Sequence, residues 1–147
     1  MSDEYCMAKW RGTLAICTHQ DWLEDRSRDE RLRRLMAGDI IYGEDEKGIP
    51  LIWLVESTDD DRIFAHRMTT QESFVLDRKT GAIVASDSRY SGFITSIEPL
   101  PEDKRNTLLG YDRRLRLAEI RPDMAKLTEA EKDTLLFLQE YYARFPL

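Results

Sequence analysis

Apolar and polar positions follow two different periods along this chain, and the change of period divides it. Thr13 to Cys17 (Thr-Leu-Ala-Ile-Cys) is short and apolar on both faces, which predicts a strand. Ser27 with Glu30 three residues later forms a capping box, each side chain satisfying the other's free backbone N–H. Leu32, Leu35 and Met36 then supply a helical stripe, which Trp22 and Leu23 extend back toward Asp21. Gly38 stands where a left-handed residue closes a helix.

From Asp39 the period becomes two. Strands are predicted at Ile40 to Tyr42, Pro50 to Glu56, Arg62 to Met68, Glu72 to Asp77, Ala82 to Ser86 and Phe93 to Glu98. The second is apolar on both sides, with Leu51, Trp53 and Val55 on one face and Ile52 and Leu54 on the other. Such a strand must be covered twice, so it is central. Arg78-Lys79-Thr80-Gly81 reads as a hairpin loop whose glycine takes a positive φ. Pro99 and Pro101 close the sheet region and open a helix whose apolar face is Leu108, Tyr111, Leu115 and Ala118. Pro122 ends it. Thr128 and Glu131 form a second capping box, and Leu135, Leu138, Tyr142 and Phe145 give the last helix, running to Arg144, one buried stripe.

Together these elements predict an α+β fold. It is a small curled antiparallel β-sheet or barrel of about six strands, preceded by one helix and followed by two. No repeat, linker or low-complexity tract divides the 147 residues, so residues 1–147 are read as a single domain. Residues 1–38 supply a strand plus helix, 39–98 the β core, and 101–144 the two C-terminal helices.

Composition narrows the chemistry. Two cysteines, Cys6 and Cys17, in no pairing pattern predict a reduced, cytoplasmic protein, as does an acidic Met1-Ser2-Asp3-Glu4 start without a leader pattern. The longest apolar run, Ile49 to Val55, is too short to span a bilayer, so no membrane partner is expected. The net charge of −6 disfavours non-specific binding to nucleic acid. It also hides a segregation. Asp39 to Asp61 holds eight carboxylates and one lysine, and Lys104 to Arg121 holds six cations and two carboxylates.

Cys17-Thr18-His19-Gln20-Asp21 groups a thiol, an imidazole and a carboxylate, but neither spacing nor ligand count fits a metal pattern. Cys17 reads instead as a small buried hydrophobe. Asp59-Asp60-Asp61 lacks the alternate spacing and distal glutamate of a calcium loop, and the glycines form no phosphate loop. No metal, cofactor or catalytic set is therefore expected. Arg26, Arg28, Arg31, Arg33 and Arg34 on the first helix, and Arg113, Arg114 and Arg116 on the second, could clamp phosphates. Asp29–Arg33, Glu30–Arg34 and Asp112–Arg116 are nevertheless spaced to pair along a helix surface. Trp10, Trp22 and Trp53 are read as packing residues.

Gly38-Asp39-Ile40-Ile41-Tyr42, then Ala65-His66-Arg67, then Ser86-Asp87-Ser88-Arg89-Tyr90-Ser91-Gly92 resembles the ordered boxes of type I signal peptidases. That resemblance implies a β fold framing a serine site, with His66 at the base position and Asp87 as its partner. The family's Ser-Met-x-Pro before Gly-Asp has no counterpart, since Glu30 to Ala37 contains no serine. No catalytic residue is carried over.

The function expected is that of a non-catalytic, small acidic binding protein: a protein–protein interaction, inhibitor, immunity-type or adaptor module with a basic protein as partner. Glu44, Asp45 and Glu46, with Asp59, Asp60 and Asp61, are expected to form a negative patch on neighbouring turns, and Arg89 and Tyr90 to add a binding loop. Two alternatives stay open. One is a nucleic-acid or nucleotide-binding module using Arg113, Arg114 and Arg116. The other is a hydrolase built on His66 and Asp87.

Overall fold

The computed structural model describes residues 28–87, 91–118 and 127–147. The predicted strand at Thr13 to Cys17, the Ser27 cap and the helical residues before Arg28 lie outside them.

Residues 28–32 are helical and form α1. The helix tightens into i to i−3 bonds, Arg34 N–H to Arg31 O at 3.1 Å and Leu35 N–H to Leu32 O at 3.2 Å. Gly38, at φ 96°, then turns the chain into the sheet. The Arg78 guanidinium donates to Arg33 O and Leu35 O, placing a cation where the helix leaves carbonyls exposed. Leu32 and Leu35 are buried as expected, but Met36 is not. Once the helix tightens, Met36 leaves the apolar face, and its N–H is taken by the Asp39 carboxylate.

Six strands follow: β1 (Ile40–Asp45), β2 (Pro50–Thr58), β3 (Arg62–Arg67), β4 (Ser73–Asp77), β5 (Ile83–Ser86) and β6 (Gly92–Ser96). Every described neighbour pair is antiparallel, in the order β5-β4-β3-β2-β1-β6. The sheet curls until its two ends touch. Ala82 bridges Phe93, and Ile94 N–H donates to Gly81 O at 2.8 Å. Gly81 makes this contact at φ 80°, the positive value expected of the hairpin loop.

The double-sided apolar pattern of β2 explains the two cores. Leu51, Trp53 and Val55 point inside the curl with Ile41, Ile63 and Phe74, and α1 and the turn after it close that core with Leu32 and Leu35. Trp53 is fully buried and meets Phe74 edge-on, with centroids 5.5 Å apart. Gly43 lies against the indole, so close that a Cβ there would stand 2.5 Å from the ring. Ile52 and Tyr42 face outward onto α2 (Glu102–Ala118) and α3 (Glu129–Ala143), meeting Leu108, Leu138 and Tyr142. Tyr42 stacks on Tyr142 with centroids 4.8 Å apart.

The capping box of α3 forms as its sequence requires: Thr128 accepts from Glu131 N–H, and the Glu131 carboxylate accepts from Thr128 N–H. Phe145 departs from the predicted stripe. Arg144 caps the helix, and Phe145, one residue beyond that cap, is exposed. The chain end still docks, with Leu147 N–H donating to Thr95 O and Ser96 Oγ donating to Phe145 O. No helix among the described residues is long and apolar enough to cross a membrane.

Candidate functional site

His66 sits on β3, opposite Leu54 of β2 and Ser73 of β4, on the sheet face that α2 covers. Its side chain is buried, and both ring nitrogens are taken. Nδ1 lies 3.0 Å from Glu56 Oε1, and Nε2 lies 2.7 Å from Asp112 Oδ1. Glu56 is the extra residue of a bulge between Val55 and Ser57, the device that aims its carboxylate at the ring. Asp112 comes from α2, where Leu108, Tyr111 and Leu115 bury the same helix face.

Carboxylates only accept hydrogen bonds, and a neutral imidazole carries a single N–H. A ring that donates to both carboxylates at once carries a proton on each nitrogen, so this pairing favours the imidazolium over the neutral ring. The pKa directions agree. Burial pushes His66 down, but the hydrogen bond and charge of Asp112, with the Glu56 hydrogen bond, outweigh burial and Arg116, leaving His66 raised. For Asp112, burial pushes upward, while hydrogen bonds from His66 and Gln71 and the charges of His66 and Arg116 bring it below its usual range.

Two more groups complete the cluster. One Arg116 nitrogen lies 2.8 Å from Nε2 and 3.2 Å from Nδ1 of His66. A point in the ring plane that near both nitrogens would collide with a ring carbon, so the guanidinium rests on the ring face. Its charge is matched by Asp112 Oδ2 at 3.3 Å. Gln71 donates from Nε2 to Asp112 Oδ1 at 2.7 Å and to Met68 O at 2.9 Å. It does so from φ 65°, a left-handed backbone that costs a non-glycine residue about 1–2 kcal/mol.

Gln71 therefore trades backbone strain for a bond to a buried carboxylate, and two substitutions separate these terms. Gln71→Ala keeps the strain and loses the bond, an expected loss of about 1–3 kcal/mol. Gln71→Gly loses the same bond but relieves the strain, so it is expected to unfold at higher urea than Gln71→Ala. The reverse order in urea titration would remove the strain from this account.

His66 and Asp87, paired by the peptidase resemblance, are not brought together. Asp87 accepts from Ser73 N–H at 3.0 Å, one strand beyond His66. Among the described residues no group of three His, Cys, Asp or Glu side chains could hold a metal ion, and the imidazole itself separates Glu56 from Asp112.

The six expected acidic residues divide. Asp45 is buried and binds its own turn, accepting from Lys47 and Ile49 N–H. Asp59 accepts from Asp61 and Arg62 N–H in the same manner. Glu44 is half-buried and raises the Tyr42 hydroxyl further after burial has done so. Glu46, Asp60 and Asp61 are exposed. The single neighbouring patch does not form. Consecutive hairpin turns lie at opposite ends of the strand they share, and the nine residues of β2 separate these turns by about 30 Å at ~3.3 Å per residue. Glu46 is instead joined to the β5–β6 loop by its N–H to Ser91 O, and Arg89 and Tyr90 lie outside the described residues.

The basic trio divides too. Arg113 is exposed, Arg114 pairs with Glu131, and Arg116 belongs to the His66 cluster. Of the three expected helix-surface pairs, Asp29–Arg33 and Asp112–Arg116 form at 3.1 and 3.3 Å, whereas Glu30–Arg34 does not form among the described residues. Compared with protein-family models, curated proteins and solved structures, the chain gives no significant match.

Proposed function

We propose that this chain is a non-catalytic interaction module that docks on a basic surface of another protein, in the manner of an inhibitor, an immunity-type neutraliser or an adaptor. The reading is carried by a division of labour among its carboxylates. Asp45, Asp59 and Asp112 hold turns and the buried His66 ring, whereas Glu46, Asp60 and Asp61 extend to solvent. The engagement of both His66 nitrogens supports the non-catalytic part, because neither is left to accept a proton from a nucleophile. Exposed carboxylates attract a basic partner from a distance and raise its association rate more than its final affinity.

The test is capture of partners from the native cell, followed by association kinetics on what is retained. Raising salt from about 0.1 M to about 1 M shortens the screening length from about 10 Å to about 3 Å, and the association rate should fall steeply. Glu44→Lys with Glu46→Lys, against Asp60→Lys with Asp61→Lys, identifies which end of the sheet docks. A partner whose association rate ignores both salt and these reversals would contradict the proposal, as would the absence of any retained protein.

A further inference from the structure

A cleft of about 440 Å³ opens between α1, the start of β1, the β6–α2 connection and the first turns of α2. Three arginines line it, Arg31 and Arg34 from the α1 segment and Arg105 from α2. Other arginines have work inside the fold: Arg33 pairs with Asp29, Arg78 caps α1, Arg114 pairs with Glu131, and Arg116 covers His66. No side-chain hydrogen bond or ion pair engages Arg31, Arg34 or Arg105 among the described residues. Gly38, at its positive φ, leaves the wall open, and an Arg105 nitrogen stands 3.8 Å from where a Cβ would be.

Three arginines lining one space bring three positive charges and planar forks that match a multiply charged oxyanion better than a single carboxylate. They suit the three oxygens and double charge of a phosphate monoester. The rest of the lining describes the body attached to that phosphate. Asp39, whose Oδ2 accepts from Met36 N–H but whose Oδ1 has no hydrogen bond among the described residues, and Glu98 also line the cleft, which fits a ligand bearing hydroxyls. Leu35, Ile40, Ile97, Pro99 and Leu100 supply an apolar wall. The volume lies within the range that holds small organic ligands.

From this geometry we propose that the cleft binds a phosphorylated, hydroxyl-bearing small molecule, with Arg31, Arg34 and Arg105 on the phosphate and Asp39 and Glu98 on the hydroxyls. The site is separate from the acidic turns and does not depend on the protein partner proposed above.

Calorimetric titration of the full chain with adenosine 5′-monophosphate, inorganic phosphate and adenosine tests it. The monophosphate should bind more tightly than phosphate, and adenosine should not bind measurably. Arg34→Gln and Arg105→Gln should each weaken the monophosphate about tenfold, the loss of one charge-assisted contact. Arg113→Gln, on the exposed side of α2, should change it less than about twofold by the same scale. Far-UV circular dichroism checks that each variant is folded. Equal binding of adenosine and its monophosphate would overturn the assignment. So would no binding of the monophosphate, or full affinity in folded Arg105→Gln.

Discussion

Asp112→Ala is expected to lower the unfolding free energy by about 3–5 kcal/mol, the cost of leaving a buried charge without its partner. That is a large fraction of the roughly 5–15 kcal/mol by which a domain is stable. The substitution strips Nε2 of His66, the Gln71 amide and the Arg116 guanidinium of their shared acceptor at once. Glu56 cannot compensate, because about half of its side chain faces solvent, which screens it. Exchanging His66 and Asp112 together for leucine should cost less than Asp112→Ala alone, since no buried charge is then left over.

Acidity should modulate the same cluster with a definite sign. His66 is raised, so its contribution is complete below the ordinary histidine value near 6.5 and disappears as pH climbs through the folded-state value. Asp112 is lowered, so its contribution exists above the ordinary aspartate value near 3.9 and is lost as pH falls through its depressed value. Mild acidity is therefore where the two act together. Urea midpoints of the wild type should decline as pH rises from about 6 through the folded His66 value, and Asp112→Asn should flatten that decline.

Trp53→Ala should cost about 3–5 kcal/mol by a different route, the cavity left when a fully buried indole is removed from inside the curl. Among the described residues the indole Nε1 has no hydrogen-bond partner, so the loss expected is one of packing. Trp53→Phe should then be much milder, because it keeps a ring against Phe74 and sacrifices no hydrogen bond. Gly43 sets a limit on repacking from the other side: Phe93 O would stand 2.4 Å from a Cβ placed there. A Trp53→Phe variant as unstable as Trp53→Ala in urea titration would contradict this description of the core.

Much of the fold was legible because local chemistry and tertiary burial agree. The double-sided pattern of Pro50 to Glu56 required a covered central strand, and β2 is one. The glycine expected in a positive-φ hairpin loop is Gly81, and the Thr128–Glu131 box caps α3. Met36 and Phe145 were misplaced because a helical stripe is readable only while the helix lasts, and both fall at a terminus.

The His66 cluster was legible only in part. The i,i+4 spacing exposed the Asp112–Arg116 pair, but no local pattern joins Asp112 to an imidazole 46 residues earlier. One signal was present. Asp112 lies four residues after Leu108 and three before Leu115, so it falls on the apolar face of its helix, where a carboxylate needs a cation opposite. The cleft arginines gave no comparable signal, because Arg105 lines the same cleft as Arg31 and Arg34 only in the folded chain, about seventy residues away in sequence.

The protonation state of the His66 ring tests most directly whether this imidazole is a structural tie or a chemical base. Nitrogen-resolved NMR on the His19→Gln variant leaves His66 as the single histidine to follow. Both ring nitrogens should carry protons at neutral pH, and the titration midpoint should lie above the free-histidine value near 6.5. A ring with one bare nitrogen at neutral pH, titrating at or below that value, would contradict the account.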